Sequence, residues 1–231
     1  MADINDILNI TQQLGVNDHR FVGQSLSRNQ RLFTSEISTV VPFEFTLTPH
    51  NYLRYQQNRG LLNSLRVADK SMEQYLNFSS TGYLNQFKYQ GDMTPAQISL
   101  VLVSSISSGT NLVLSNLPIG LPIQYAVRIG DAIQVGRYTY YATADVTLSN
   151  STTATVPIHR PLLNLLNSPV SAVIGEFGNT ITLGLQSYVG ITIPVILREY
   201  PTYSLVPYAA NDFFIAWDGS FKAFENVLVG G

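Results

Sequence analysis

The sequence has no cysteine. Disulfides, thiolate chemistry and cysteine-type zinc sites are therefore excluded. Charge is also scarce: Asp, Glu, Lys and Arg make up 12% of the 231 residues, about half of the ~25% usual in soluble domains. The formal net charge is −2, and the 13 Lys and Arg are scattered between Arg20 and Lys222. No basic excess or stripe is present to hold phosphates, so nucleic acid is not an expected partner. No stretch approaches the ~20 apolar residues of a membrane-spanning helix. The longest apolar-leaning run, Ile191–Leu197, is strand-sized and broken by Pro194. The opening MADINDILNITQQLGVNDHRF carries neither the basic nor the apolar region of a secretory signal, and a soluble chain is expected.

Ser, Thr, Asn, Gln and Tyr stand where charge is missing. The chain is 45% hydrophobic and 11% aromatic, which argues against disorder, because disordered chains are charge-rich and aromatic-poor. A free monomer usually keeps more charge on its surface for solubility. Much of this surface is therefore expected to be covered by partners.

Periodicity predicts a mainly β protein with a minor helical part: small β-barrel or sandwich units, with one helix packed on the N-terminal sheet. Residues 1–20 read as an N-terminal arm with one short helical face, Ile4, Ile7, Leu8 and Thr11. An arm reaching a neighbour and a frayed terminus are the two readings. Residues 21–95 read as a β unit, completed by C-terminal strands. In it, Phe43, Phe45 and Leu47 alternate with Glu44 and Thr46, the signature of a half-buried strand. Thr48 as N-cap and Pro49 at the first helical position predict a helix over about 49–66. Tyr52, Tyr55, Leu62 and Leu65 fall on one face of it, widened by Leu53 and Leu61.

A further helical turn or two is expected within 70–78, a strand over 82–89 and a boundary at Gly91–Pro95. Residues 96–160 read as a small β-barrel or sandwich and 161–231 as C-terminal strands. The expected strands are 98–104, 111–115, 122–129, 131–135, 137–147, 153–158, 170–176, 179–186, 191–197, 202–206, 212–217 and 221–229. Turn residues punctuate them.

The search for chemistry yields no catalytic, cofactor or metal residue. His19, His50 and His159 share no ligand-like spacing. Asp131, Asp145, Glu176, Asp212 and Asp218 are the carboxylates from which a hydrolase dyad would have to be drawn, without a motif to mark them. There is no nucleophile elbow, phosphate-binding loop or dinucleotide fingerprint. Thirteen Tyr, eleven Phe and the one Trp, Trp217, could line a carbohydrate platform, with Tyr138-Thr-Tyr-Tyr141 the best candidate. Packing is the favoured reading of alternating Tyr on a strand.

The segment Arg128-Ile-Gly-Asp-Ala-Ile-Gln-Val-Gly-Arg-Tyr-Thr-Tyr-Tyr-Ala-Thr-Ala-Asp-Val146 is similar to one in tail and baseplate proteins of tailed bacteriophages. A Gly-Asp turn opens one strand, a second ends in Thr-Ala-Asp-Val, and a polar hairpin follows, here Ser149–Thr152. The run Ala154–Leu162, with its basic residue-Pro-Leu ending, fits the same pattern. Residues 42–65 resemble the family's strand and helix, residues 83–89 a following strand, and Trp217–Glu225 its closing strand. The resemblance spans about 21–228.

It implies a virion component of the lower tail, made in the host cytoplasm and packed against copies of itself and neighbouring tail proteins. It carries over no catalytic residue, and a small-molecule ligand is not expected. Such rings bury much of each copy, which suits a low-charge, Tyr-rich surface. Residues 1–20, 105–111 and 164–169 are the expected contact segments. The rivals are a tail-tip receptor- or carbohydrate-binding module, which requires a compact exposed aromatic cluster, and a β-scaffold hydrolase, which requires two carboxylates across a cleft.

Overall fold

A computed structural model describes residues 4–18, 22–26, 32–36, 41–67, 72–78, 86–106, 109–119, 125–148, 151–163, 169–178 and 180–227. The protein is mainly β, 52% strand against 13% helix, with curled half-barrel sheets. It divides into two compact units that interleave along the chain. One holds residues 1–19, 42–76 and 194–227, the other 20–41, 77–193 and 228–231. The boundary expected at 91–95 therefore falls inside the second unit. The chain instead changes unit near 76 and again near 193.

The first unit is built on a five-stranded sheet. Its order is Thr11–Asp18, Phe43–Pro49, Phe221–Glu225, Ile191–Glu199 and Gln74–Phe78. Phe43, Phe45 and Leu47 are fully buried on one side of the Phe43–Pro49 strand, as their alternation predicts. The Phe221–Glu225 strand pairs with it antiparallel, Phe221 opposite Leu47 and Ala223 opposite Phe45. The buried Glu225 carboxylate accepts the Phe43 backbone N–H at 3.0 Å, so one edge contact joins residues 182 positions apart.

The N-terminal residues are not an arm. Helix α1 (Ile4–Asn9) buries Ile4 and Ile7, and Thr11–Asp18 pairs along Phe43–Pro49. The apolar pair on α1 has a core to enter, which a projecting arm would lack.

Helix α2 runs Tyr55–Val67 and buries Leu62 and Leu65, starting later than the expected 49. Thr48 and Pro49 are the last residues of the preceding strand, and the Thr48 hydroxyl meets that of Ser220 at 2.8 Å rather than capping a helix. Tyr52 then takes a left-handed backbone, φ 66°, and Leu53–Arg54 forms a two-residue strand before the helix begins.

Three further expectations are corrected. Gln74–Phe78 is strand, not helix, because it completes the sheet. Residues 86–89 are turn and irregular chain, the rest of the expected 82–89 strand lying outside the described residues. Residues 95–98 form a one-turn helix, α3 (Pro95–Ile98), closed by a Thr94–Gln97 capping box, so the next strand starts at Leu102.

In the second unit, Leu102–Ile106, Asn111–Ser115 and Ala154–Pro157 pair in sequence. Ala132–Val135 and Tyr138–Tyr141 form a hairpin. Val170–Ile174 links the two groups, pairing with Ala132–Val135 through Ala172–Ile174 and with Leu102–Ile106 through Val170 and Ser171. Ala132, Ile133, Gln134 and Val135 are all buried. Both faces of this strand lie inside the unit, so it reads as a continuous buried run rather than an alternation.

Candidate docking surface

Four of the five singled-out carboxylates, and His159, accept backbone N–H groups of the fold. Asp131 is buried and accepts the backbone N–H groups of Gln90 and Arg128 at 2.9 and 2.8 Å. Burial raises its carboxyl above the ordinary value, and the nearby Glu176 charge adds to the rise. Glu176, also buried, accepts the Tyr89 N–H at 2.7 Å. The Tyr89 hydroxyl donates to Ala126 O at 2.7 Å and accepts the Met93 N–H at 3.1 Å; its pKa is pushed up, chiefly by burial. The structure thus brings Asp131 and Glu176 to the same segment, 87–93, as clamps on its backbone.

Asp145 is exposed and accepts the Ile129 N–H at 2.8 Å. Asp212 accepts the N–H of its neighbour Phe213, and Asp218 is an exposed strand end. His159 Nδ1 accepts the Tyr141 N–H at 2.9 Å. His50 donates its backbone N–H to Ile10 O, and His19 lies outside the described residues. Among the described residues no group of three His, Asp or Glu could hold a metal ion.

Tyr138 and Tyr140 are core residues, with Arg160 lying 5.4 Å from the Tyr140 ring centre. Tyr141 stacks on Phe87 at 5.8 Å. These rings are spent on packing, which leaves no platform at Tyr138–Tyr141.

The exposed aromatics sit elsewhere, on a three-stranded sheet of the first unit ordered Thr202–Ala209, Asp212–Asp218, Leu53–Arg54. The hairpin turns at Ala210-Asn211, where Asn211 takes φ 66°, a conformation Asn tolerates. Gln56, in the first turn of α2, donates from Nε2 to Asn211 O at 3.0 Å and ties the tip to the helix.

Strand alternation gives this sheet two faces. Tyr203 lies opposite Trp217, and Leu205 opposite Ile215, which faces Leu53 in turn. Ile215 is buried. A cleft of about 180 Å³ lies here, lined by Leu62, Leu65, Arg66, Tyr203, Trp217 and Phe221 among others. Its rings meet edge to face, Tyr203–Trp217 at 5.4 Å and Trp217–Phe221 at 5.3 Å.

The other face carries the cross-strand row Val206, Phe214 and Arg54. The Tyr208 ring packs on Phe214 at 4.3 Å and the Tyr52 ring at 5.8 Å, with the Arg54 guanidinium 5.7 Å from the Tyr208 centre. Tyr52 is 70% exposed, Tyr208 55% and Val206 43%. This is an aromatic surface with a single cation at its side.

The strand Thr202–Ala209 is exposed at every one of its eight residues and holds no charged side chain. It is the end strand of its sheet. Soluble proteins usually guard such an edge with lysine, a bulge or a covering element. Here Pro207 and the bulge between Pro207 and Ala209 guard only the end near the tip.

Sequence reading placed strands at 202–206 and 212–217 but did not mark them as the surface of interest. The available signal was a β-rich run, Thr202-Tyr-Ser-Leu-Val-Pro-Tyr208, without one Lys, Arg, Asp or Glu. Of the contact segments that were expected, 4–9 is helix α1 with Ile4 and Ile7 buried, 11–18 is a strand of the five-stranded sheet, and 107–108 and 164–168 lie outside the described residues.

Fold and surface together define a mainly β protein of two interleaved units with an uncharged, exposed sheet edge. No protein-family model matches the chain, and no curated protein matches it.

Proposed function

We propose that this chain is a structural protein that works by packing against copies of itself and its neighbours, as a component of the lower tail or baseplate of a tailed bacteriophage. The observation that carries the packing role is the uncharged edge strand Thr202–Ala209, exposed at each of its residues, beside the Tyr52–Phe214–Tyr208 surface. Interfaces are enriched in aromatic side chains and depleted of charge at their centres, and this is the composition presented. The phage assignment rests on the resemblance carried by Arg128–Val146, Ala154–Leu162 and Trp217–Glu225. No residue has a catalytic role in this reading, and the protein resides in the virion.

A second reading, a receptor- or carbohydrate-binding module on a tail tip, is favoured by the same aromatic cluster. Ring geometry weighs against a sugar platform. Tyr52 and Tyr208 are inclined by 79° and 51° to Phe214, so the three rings share no flat face. The deciding experiment measures the mass and shape of the purified protein by light scattering and negative-stain imaging, alongside a glycan-binding screen. A closed ring or defined oligomer is expected. A monodisperse monomer that binds a glycan overturns the packing role in favour of the second reading.

A further inference from the structure

We infer that the Thr202–Val206 edge pairs antiparallel with the same edge of a second copy, about a two-fold axis at Ser204. The inference rests on the packing role proposed above and assigns it a partner, a surface and a register.

The argument begins with the free edge. One side of Thr202–Ala209 pairs with Asp212–Asp218, and the strand is terminal in its sheet. Among the described residues no strand pairs with its other side, so its outward backbone groups are open to another strand, the usual route of strand addition. Two prolines then set the limits. Proline has no N–H to give to a ladder, and Pro201 and Pro207 bracket the stretch Thr202-Tyr-Ser-Leu-Val206. Ser204 is its midpoint. Only one antiparallel register lays this window fully on its own copy, the one with Ser204 opposite Ser204.

Side chains agree with that register. Tyr203 falls opposite Leu205 of the second copy, twice, and Thr202 opposite Val206, twice. Aromatic–aliphatic and β-branched cross-strand pairs are favourable. An isologous contact places every residue of a patch against the patch itself, so a charge in it would face its own like near the axis. The window contains none, the condition that self-pairing demands and that pairing with an unrelated strand does not. Because the two edges consume each other, the contact closes at two copies and does not propagate along the strands.

The absence of cysteine makes the test direct. A Ser204→Cys variant brings two thiols together across the axis, within the range that a disulfide spans. Mild oxidation is expected to give a covalent dimer in high yield. Thr155→Cys, on the end strand Ala154–Pro157 of the other unit, is the control and is expected to stay largely unlinked. Charge adds a second measurement. Ser204→Lys and Ser204→Asp should each shift light-scattering mass towards half of the wild-type value. An equimolar mixture of the two should restore it, because only self-pairing puts position 204 against itself.

Equal cross-linking at 204 and 155 overturns the inference. So does a Ser204→Lys variant that keeps the wild-type mass, or a mixture that fails to recover. If wild type forms larger assemblies that none of the position-204 variants disturbs, the edge pairing fails while the packing role stands. A wild-type monomer at every concentration removes the pairing, and the glycan screen then decides the role.

Discussion

Gln134 and Thr192, both fully buried, bond to each other as two strands would. The Gln134 side chain donates from Nε2 to Thr192 O at 2.6 Å and accepts the Thr192 N–H on Oε1 at 2.7 Å. One amide side chain thus takes the place of a peptide group and satisfies both backbone groups of Thr192. Its replacement by Leu is nearly isosteric but leaves a buried donor and a buried acceptor without partners. At about 1–3 kcal/mol for each, Gln134→Leu is expected to destabilise the second unit by roughly 3 kcal/mol, read as a lower urea midpoint with unchanged slope. Retained stability would mean that the strand does not depend on this amide.

Arg160 is a buried cation in the same unit, donating from Nη1 to Val41 O at 2.6 Å and from Nη2 to Thr139 O at 2.8 Å. A guanidinium spans two carbonyls in fixed directions, which a single ammonium does not. Arg160→Lys is expected to lower the thermal midpoint even though charge is conserved. Arg160→Met, which removes the charge along with its bonds, tests whether burying the cation or losing the two contacts dominates.

Asp131 gives a pH dependence of definite sign. Burial raises its folded pKa above 3.8, so the folded protein binds this proton more tightly than the unfolded chain. Its contribution is present below the unfolded value and is lost as pH rises through the raised folded one. Asp131→Asn abolishes that term and also removes an acceptor for one of the two N–H groups. Denaturation measured from pH 3.8 upward is expected to show wild type most superior to the variant at the acid end, with the gap narrowing as pH rises. A gap that widens with pH contradicts the assignment.

Two glycines should respond to alanine with opposite signs. Gly175 takes φ +60°, and an added Cβ would stand 2.6 Å from Tyr89 N and 2.9 Å from Phe87 O, backbone atoms that cannot step aside. Gly175→Ala is expected to cost on the order of 2 kcal/mol or more. Gly60 lies inside α2 with nothing within 4 Å of the added carbon, so Gly60→Ala should stabilise by about 0.5–1 kcal/mol. Thermal melts of the two variants against wild type check both signs.

The Tyr52 and Tyr208 rings should matter to assembly and little to folding. Tyr52→Gly relaxes a left-handed backbone that glycine adopts freely, in exchange for the loss of one edge contact of a mostly exposed ring to Phe214. Tyr208→Ser removes a ring that is mostly in water. Melting temperatures are expected to stay near wild type, while the sedimentation or scattering mass falls. A variant that unfolds while keeping its mass would mark these rings as structural.

Local patterns carried much of the fold. Strict alternation at Phe43–Leu47 fixed both the strand and its buried face, because period-2 burial follows from the pleat and not from the partner. Asn111–Ser115 was legible for the same reason. The start of α2 was not, since Thr48 and Pro49 suit a helix N-terminus as well as a strand end, and the Ser220 contact that decides between them lies 172 residues away. The strand at Gln74–Phe78 was missed because five residues of mixed polarity are ambiguous until a sheet edge needs them. Asp131 and Glu176 looked like unassigned carboxylates because their partners are backbone N–H groups, which no residue type announces.

The sequence by itself determined that the chain is thiol-free and poor in charge through its composition, and β-rich through its periodicity, since those properties need no knowledge of who touches whom. Its order also set the prolines on either side of Thr202–Val206. Only the tertiary structure decided which apolar residues remain outside. Tyr138, Tyr140, Tyr203 and Tyr208 are equivalent as letters, yet the first two fill a core and the last two meet water. The reason is that a strand's exposure is fixed by what covers its faces and not by its place in the sheet: Tyr138–Tyr141 and Thr202–Ala209 are both end strands, yet the first is packed into a core and the second is exposed along its length.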